Sequence, residues 1–132
     1  MSLPGPVALA LPFAPSSAGV ARAQLMSWLV EMDQPRDVIE DSRLVLSELV
    51  GNAVRHAKPL ADGTVLVSWN RDATGLDIAV TDGGAITAPH PVQASTSALA
   101  GRGLSIVTEL SRSWWLETTR SRSTVHALLS LT

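Results

Sequence analysis

The chain has 132 residues, 45% of them hydrophobic and 17% charged, with a formal charge of −2; these are the proportions of one soluble globular domain, 1–132, large enough to bury a core. The absence of cysteine excludes disulfides, thiolate chemistry and cysteine-bound zinc, and points to a cytoplasmic setting. The charge balance argues against direct nucleic-acid binding, no apolar run approaches the roughly 20 residues of a membrane span, and the single lysine, Lys58, belongs to no Gly-Lys-Ser/Thr sequence, so there is no P-loop.

Met1 to Pro15 lacks a basic start and is not expected to be a signal peptide. Within it Val7 to Leu11, with Pro6 before it and Pro12 after it, reads as an edge strand. Ser16 or Ser17 can cap a helix running to about Met32, with Val20, Ala23, Leu25, Leu29 and Met32 as its expected packing positions. Pro35 and Asp37 suit the start of a second, longer helix, which must stop near Lys58-Pro59 because proline cannot continue it.

That second helix carries Asp41-Ser-Arg-Leu-Val-Leu-Ser-Glu-Leu-Val-Gly-Asn-Ala-Val-Arg-His-Ala57. At about 100° per residue, Glu48 and Asn52 share a side with Asp41 and Arg55, while Leu46, Leu49, Val50, Ala53 and Ala57 share the other. A carboxylate, a carboxamide and a guanidinium in one line can accept a proton, ligate a hard cation through oxygen and hold a phosphate. An ordinary amphipathic helix would also put such residues in water, so the line alone decides nothing.

Ala61-Asp62-Gly63 is a turn, Val65 to Trp69 a strand, and Asp72 to Gly75 a second turn that should fold the next strand back as a hairpin. In that strand Leu76, Ile78 and Val80 share a face, which by the same alternation continues to Asp82. A carboxylate facing inward needs a donor; alternatively the strand has ended and Asp82 sits in a turn. Gly83-Gly84 and a stretch rich in Ala, Pro, Ser and Thr follow, the pattern of a lid over about residues 83–102. Gly101-Arg-Gly103 then opens a helix with Leu104, Val107 and Leu110 as its apolar stripe, and glycines before a helix N-terminus allow an anion to approach the backbone. Trp114 to Thr118 and Thr124 to Leu131 read as a last hairpin, with Val125, Ala127, Leu129 and Leu131 on one face. Thr124 there either reaches a polar ligand or satisfies a turn.

Glu48-x3-Asn52 on a helix, Asp82-x-Gly84 at a strand end, a long small-residue loop and Gly101-x-Gly103-Leu104 at a helix start occur in that order. In this order they resemble the GHKL (Bergerat-fold) ATPase superfamily. The wording Leu-Ser-Glu-Leu-Val-Gly-Asn-Ala-Val-Arg-His-Ala and Gly-Arg-Gly-Leu-Ser-Ile-Val is especially similar to the stand-alone anti-sigma factor serine/threonine kinases. The resemblance implies an α+β two-layer sandwich, a mostly antiparallel sheet covered on one face by about three helices.

It also implies ATP with Mg²⁺. Glu48 would be the general base, Asn52 the metal ligand and Arg55 a phosphate neighbour. Asp82 would accept from the adenine amine, and Gly84 would let the backbone pass the base. Gly101, Arg102, Gly103 and Leu104 would cradle the phosphates, and Thr124 would lie near the adenine. The implied function is to bind a sigma factor and phosphorylate an anti-anti-sigma antagonist protein, with room for a homodimer. The alternative is an ATP-binding regulatory module that sequesters a protein partner without turnover. The chain departs from the family pattern at Ala85-Ile86, where a second glycine is often found, and at Arg122-Ser123-Thr124, where position 123 carries no cation. His56 falls off the Glu48/Asn52 line, His90 and His126 are read as plain lid and strand residues, and the four tryptophans as core or partner contacts.

Overall fold

The computed structural model describes residues 4–84 and 104–132. In chain order the elements are β1 (Val7–Pro12), α1 (Ser17–Glu31), α2 (Arg36–His56), β2 (Thr64–Asp72), β3 (Gly75–Asp82), α3 (Ser105–Leu110), β4 (Ser113–Thr118) and β5 (Ser123–Leu129). The five strands form one antiparallel sheet in the order β1-β2-β3-β5-β4. β1 is therefore an edge, as its flanking prolines require, since proline cannot donate to a neighbouring ladder. Among the described residues no helix is long and apolar enough to cross a membrane.

One face of the sheet carries the core. Val65, Val67 and Trp69 on β2, Leu76, Ile78 and Val80 on β3, and Ala127 and Leu129 on β5 alternate onto the same side. There they meet Leu25 and Leu29 of α1, Leu46, Leu49 and Val50 of α2, and Val107 of α3. The α+β layering expected from the sequence is the one observed. Each fully buried Leu or Ile in this layer contributes about 1.5–3 kcal/mol of transfer free energy. The opposite face is open: His126 sits there between Asp77 (Nδ1 to Oδ1, 3.0 Å) and Glu117 (Nε2 to Oε1, 2.7 Å), stacked on Trp115 with ring centroids 4.8 Å apart.

The packing stripe of α1 differs from expectation. Ala21, Leu25, Trp28, Leu29 and Met32 are buried, whereas Val20 is 51% exposed and Ala23 also faces solvent. The reason is angular: Val20 lies about 140° round the helix from Leu25, too far to share its face. α1 ends at Glu31, and Asp33 just beyond it is a non-glycine residue at φ 55°. Beyond it the Gln34 side chain exchanges two hydrogen bonds with the backbone of Thr132, at 3.0 and 2.8 Å. This ties the α1–α2 connection to the tail of the sheet. α2 ends at His56, and Ala57 turns extended ahead of Lys58-Pro59.

Candidate functional site

The polar side of α2 leaves the core layer where Glu48 and Asn52 are half-buried and Arg55 is exposed. Asn52 Nδ2 donates to the Glu48 carbonyl at 2.8 Å, which fixes the carboxamide one turn after the carboxylate residue and sets its orientation. Its Oδ1 is buried and has no hydrogen-bond partner among the described residues. An orphaned carboxamide oxygen costs desolvation free energy, and it is the type of acceptor a hard divalent cation takes as ligand. The residues present therefore fit a cation here. The Arg55 guanidinium lies over Gly51, where an added Cβ would stand 3.0 Å from its Nη1. Gly51 thus leaves the space in which Arg55 runs back along the helix.

The second wall is the end of β3. Asp82 is still in the strand, on the core face with Val80, and only 6% exposed. That settles the alternation in favour of the inward carboxylate. Its Oδ1 accepts from the Gly84 backbone N–H at 2.8 Å, and Gly84 adopts φ 100°, a conformation that favours glycine.

Two backbone bonds join this corner to the end of α2. Gly83 N–H donates to the Lys58 carbonyl at 2.8 Å, and Lys58 N–H donates to the Gly84 carbonyl at 3.0 Å. Approach is so close that a Cβ on Gly83 would fall 2.1 Å from the Pro59 carbonyl oxygen. The helix bearing Asn52 and the strand end bearing Asp82 are thus locked together by main chain.

On the neighbouring strand, Ser123 pairs with Asp82 in register and Thr124 with Thr81. Thr124 Oγ1 and Thr81 Oγ1 share a hydrogen bond of 2.8 Å, and both alternate onto the open face with Asp77 and His126. Thr124 is therefore turned away from Asp82, and the hydroxyl on Asp82's own face is that of Ser123. The signal for this was in the strand itself: counting back by two from Val125 reaches Ser123, not Thr124. Leu104 is 1% exposed and packs with Val107 in the core. Gly101, Arg102 and Gly103 and the rest of the expected lid lie outside the described residues.

Two turn carboxyls outside this corner are held below the usual carboxylate range. Asp62 is lowered first by the Thr64 hydroxyl and Asp72 first by the Thr74 hydroxyl.

Glu48 and Asn52 thus stand on a helix whose following residue Lys58 is bonded to the glycine corner that carries the buried Asp82. The family model described as histidine kinase-like ATPase domain matches residues 11–128. The chain belongs to the histidine kinase-like ATPase domain family. Membership implies ATP as the bound nucleotide. No curated protein matches. Among solved structures, the chain is similar to the crystal structure of the RsbU and RsbW domains of Rv1364c from Mycobacterium tuberculosis, with a TM-score of 0.74 and 22% identity. That alignment covers 97% of this chain and 32% of the other. At this identity the likeness shows the fold. The chain spans about a third of that protein's chain in the structure.

Proposed function

We propose that residues 1–132 work as one cytoplasmic nucleotide-binding domain. In this reading they bind Mg·ATP and a sigma factor, and transfer the γ-phosphoryl group to a serine or threonine of a small antagonist protein. The observation that carries the reading is the buried Oδ1 of Asn52, without a partner among the described residues and one turn beyond Glu48. Its fold-level support is the family match and the likeness to a structure that contains an RsbW domain.

Each residue then has a task set by its chemistry. Asn52 would hold the cation by its side-chain oxygen, the remaining ligands being of the kind that phosphate and water supply. Magnesium, when bound, neutralises charge on the phosphates. Glu48 orients the acceptor hydroxyl and takes its proton as the new oxygen–phosphorus bond forms, and ADP departs with the bridging oxygen. Arg55 adds positive charge beside the phosphates. Asp82 accepts from the exocyclic amine of adenine, Gly84 leaves room for the base, and Ser123 offers a hydroxyl on the same face. The backbone of Gly101, Arg102, Gly103 and Leu104 would cradle the phosphates.

The test is transfer of labelled phosphate from ATP to a co-purified antagonist by wild type and Glu48→Gln. The expected result is nucleotide binding in both and transfer in the wild type only. Full transfer by Glu48→Gln removes Glu48 as base. Binding without any transfer by the wild type leaves a module that sequesters its partner under nucleotide control.

A further inference from the structure

The open face of the sheet carries a stack of rings that stops partway. Cross-strand pairing lines up Trp115 of β4, His126 of β5, Ala79 of β3, Ser68 of β2 and Ala8 of β1 in one row across all five strands. The first two are flat rings, 4° from parallel with centroids 4.8 Å apart, about the spacing of neighbouring strands. The next three are small. One face of the His126 ring is thus covered by Trp115, while the other ends a groove of about 290 Å³ floored by Ala79, Ser68 and Ala8 and flanked by Asn70 and Asp77.

That ring is a fixed wall. Nδ1 is bonded to Asp77 at 3.0 Å and Nε2 to Glu117 at 2.7 Å, and the side chain is 17% exposed. Asp77 is more open, at 29%, and a carboxylate has about four lone-pair sites, so it can accept from a further donor arriving along the groove.

Charge selects the occupant. The strand positions on this face bear Asp72, Asp77 and Glu117 and no lysine or arginine. Even with a proton on each nitrogen of His126, the form in which both bonds to carboxylates are made, the face stays net negative. It therefore calls for a cation. A flat wall beside a carboxylate favours a planar one, which can lie on a ring while its N–H groups reach the oxygens; guanidinium has that shape and ammonium does not. The groove falls below the roughly 300–1,000 Å³ of sites that enclose a free small molecule. It suits one side chain presented by a larger surface.

We propose that the open sheet face docks a partner protein through an arginine, its guanidinium lying over Ala79 against the His126 ring and donating to Asp77. Asn52 and Asp82 are on the other side of the sheet, so the contact and the nucleotide site can be tested separately.

An NMR titration of the full chain with the peptide acetyl-Ala-Arg-Ala-amide tests this, with lysine and uncharged citrulline in place of arginine as controls. Saturable millimolar binding is expected, with shifts centred on the amides of Ser68, Asp77, Ala79 and His126. Lysine should bind at least threefold more weakly and citrulline not at all. Asp77→Asn is expected to weaken arginine binding at least fivefold. Ser68→Leu, which fills the floor without removing a charge or the His126 bonds, should block it even if Asp77→Asn unsettles the sheet, and should keep the wild-type melting temperature and Mg·ATP affinity. No saturable shift up to tens of millimolar, shifts centred elsewhere, equal binding of lysine or citrulline, or wild-type binding by folded Ser68→Leu would each overturn the proposal.

Discussion

Asn52 and Glu48 are joined through the helix they share: Asn52 Nδ2 is satisfied by the Glu48 carbonyl at 2.8 Å, leaving Oδ1 buried and without a partner among the described residues. Asn52→Ala should therefore separate stability from binding. Alanine has the higher helix propensity, by about 0.5 kcal/mol, and it removes an unsatisfied acceptor, so the melting temperature should hold or rise. Mg·ATP affinity should fall at least tenfold, about 1.4 kcal/mol. Calorimetric titration beside a thermal melt checks both; equal Mg·ATP affinity in mutant and wild type rejects the role given to Asn52.

The two hydroxyls at the start of β5 should behave oppositely. Ser123→Ala leaves the ladder intact but removes a hydroxyl beside Asp82, and is expected to weaken nucleotide binding by about 0.5–1.5 kcal/mol. Thr124→Val breaks the Thr81–Thr124 bond on the far face, costing about 1 kcal/mol of stability with nucleotide affinity unchanged. Binding isotherms and urea melts of the two variants give four numbers, and a nucleotide defect confined to Thr124→Val would reverse the assignment.

Gly83→Ala drives a methyl group onto the Pro59 carbonyl. The methyl is fixed rigidly to the Gly83 backbone and the oxygen is itself main chain, so relief requires the α2–β3 junction to part. A loss of about 1–3 kcal/mol of stability is expected, together with weaker ATP binding as Asp82 and Gly84 shift. Equilibrium unfolding measures the first effect and titration the second.

The β2–β3 hairpin should respond to acid. Asp72 Oδ1 accepts from Thr74 N–H (2.7 Å), Thr74 Oγ1 (2.7 Å) and Gly75 N–H (3.0 Å), and its carboxyl is held below the ordinary value of 3.8. A lowered folded-state pKa means a contribution present above that value and lost as pH falls through the folded one. Asp72→Asn should thus lower the melting temperature at neutral pH, with the gap to wild type closing below the ordinary carboxylate value. A gap that is constant with pH would assign the effect to the turn's shape and not to its charge.

Much of this was legible in the residues. Prolines at 35 and 59 bounded α2, and the alternation Leu76, Ile78, Val80 carried Asp82 inward, where it is found. Two positions follow face geometry and not residue type or motif: the angle of Val20 excludes it from the packing stripe of α1, and Val125 and Ala127 assign the core-facing side of β5 to Ser123, leaving Thr124 on the other. Other features have no side-chain signature. The bonds between Lys58 and Gly83-Gly84 are made by main chain, and Gln34 meets Thr132 across 98 positions, a distance over which no local pattern operates.

The Lys58 junction fixes a length. Because the segment just past α2 and the end of β3 are bonded to each other through main chain, the separation between the Asn52 oxygen and the Asp82 carboxylate is held by the backbone. On the proposed reading that separation works as a caliper: a nucleotide is gauged by whether its two polar ends are spaced to touch both jaws at once.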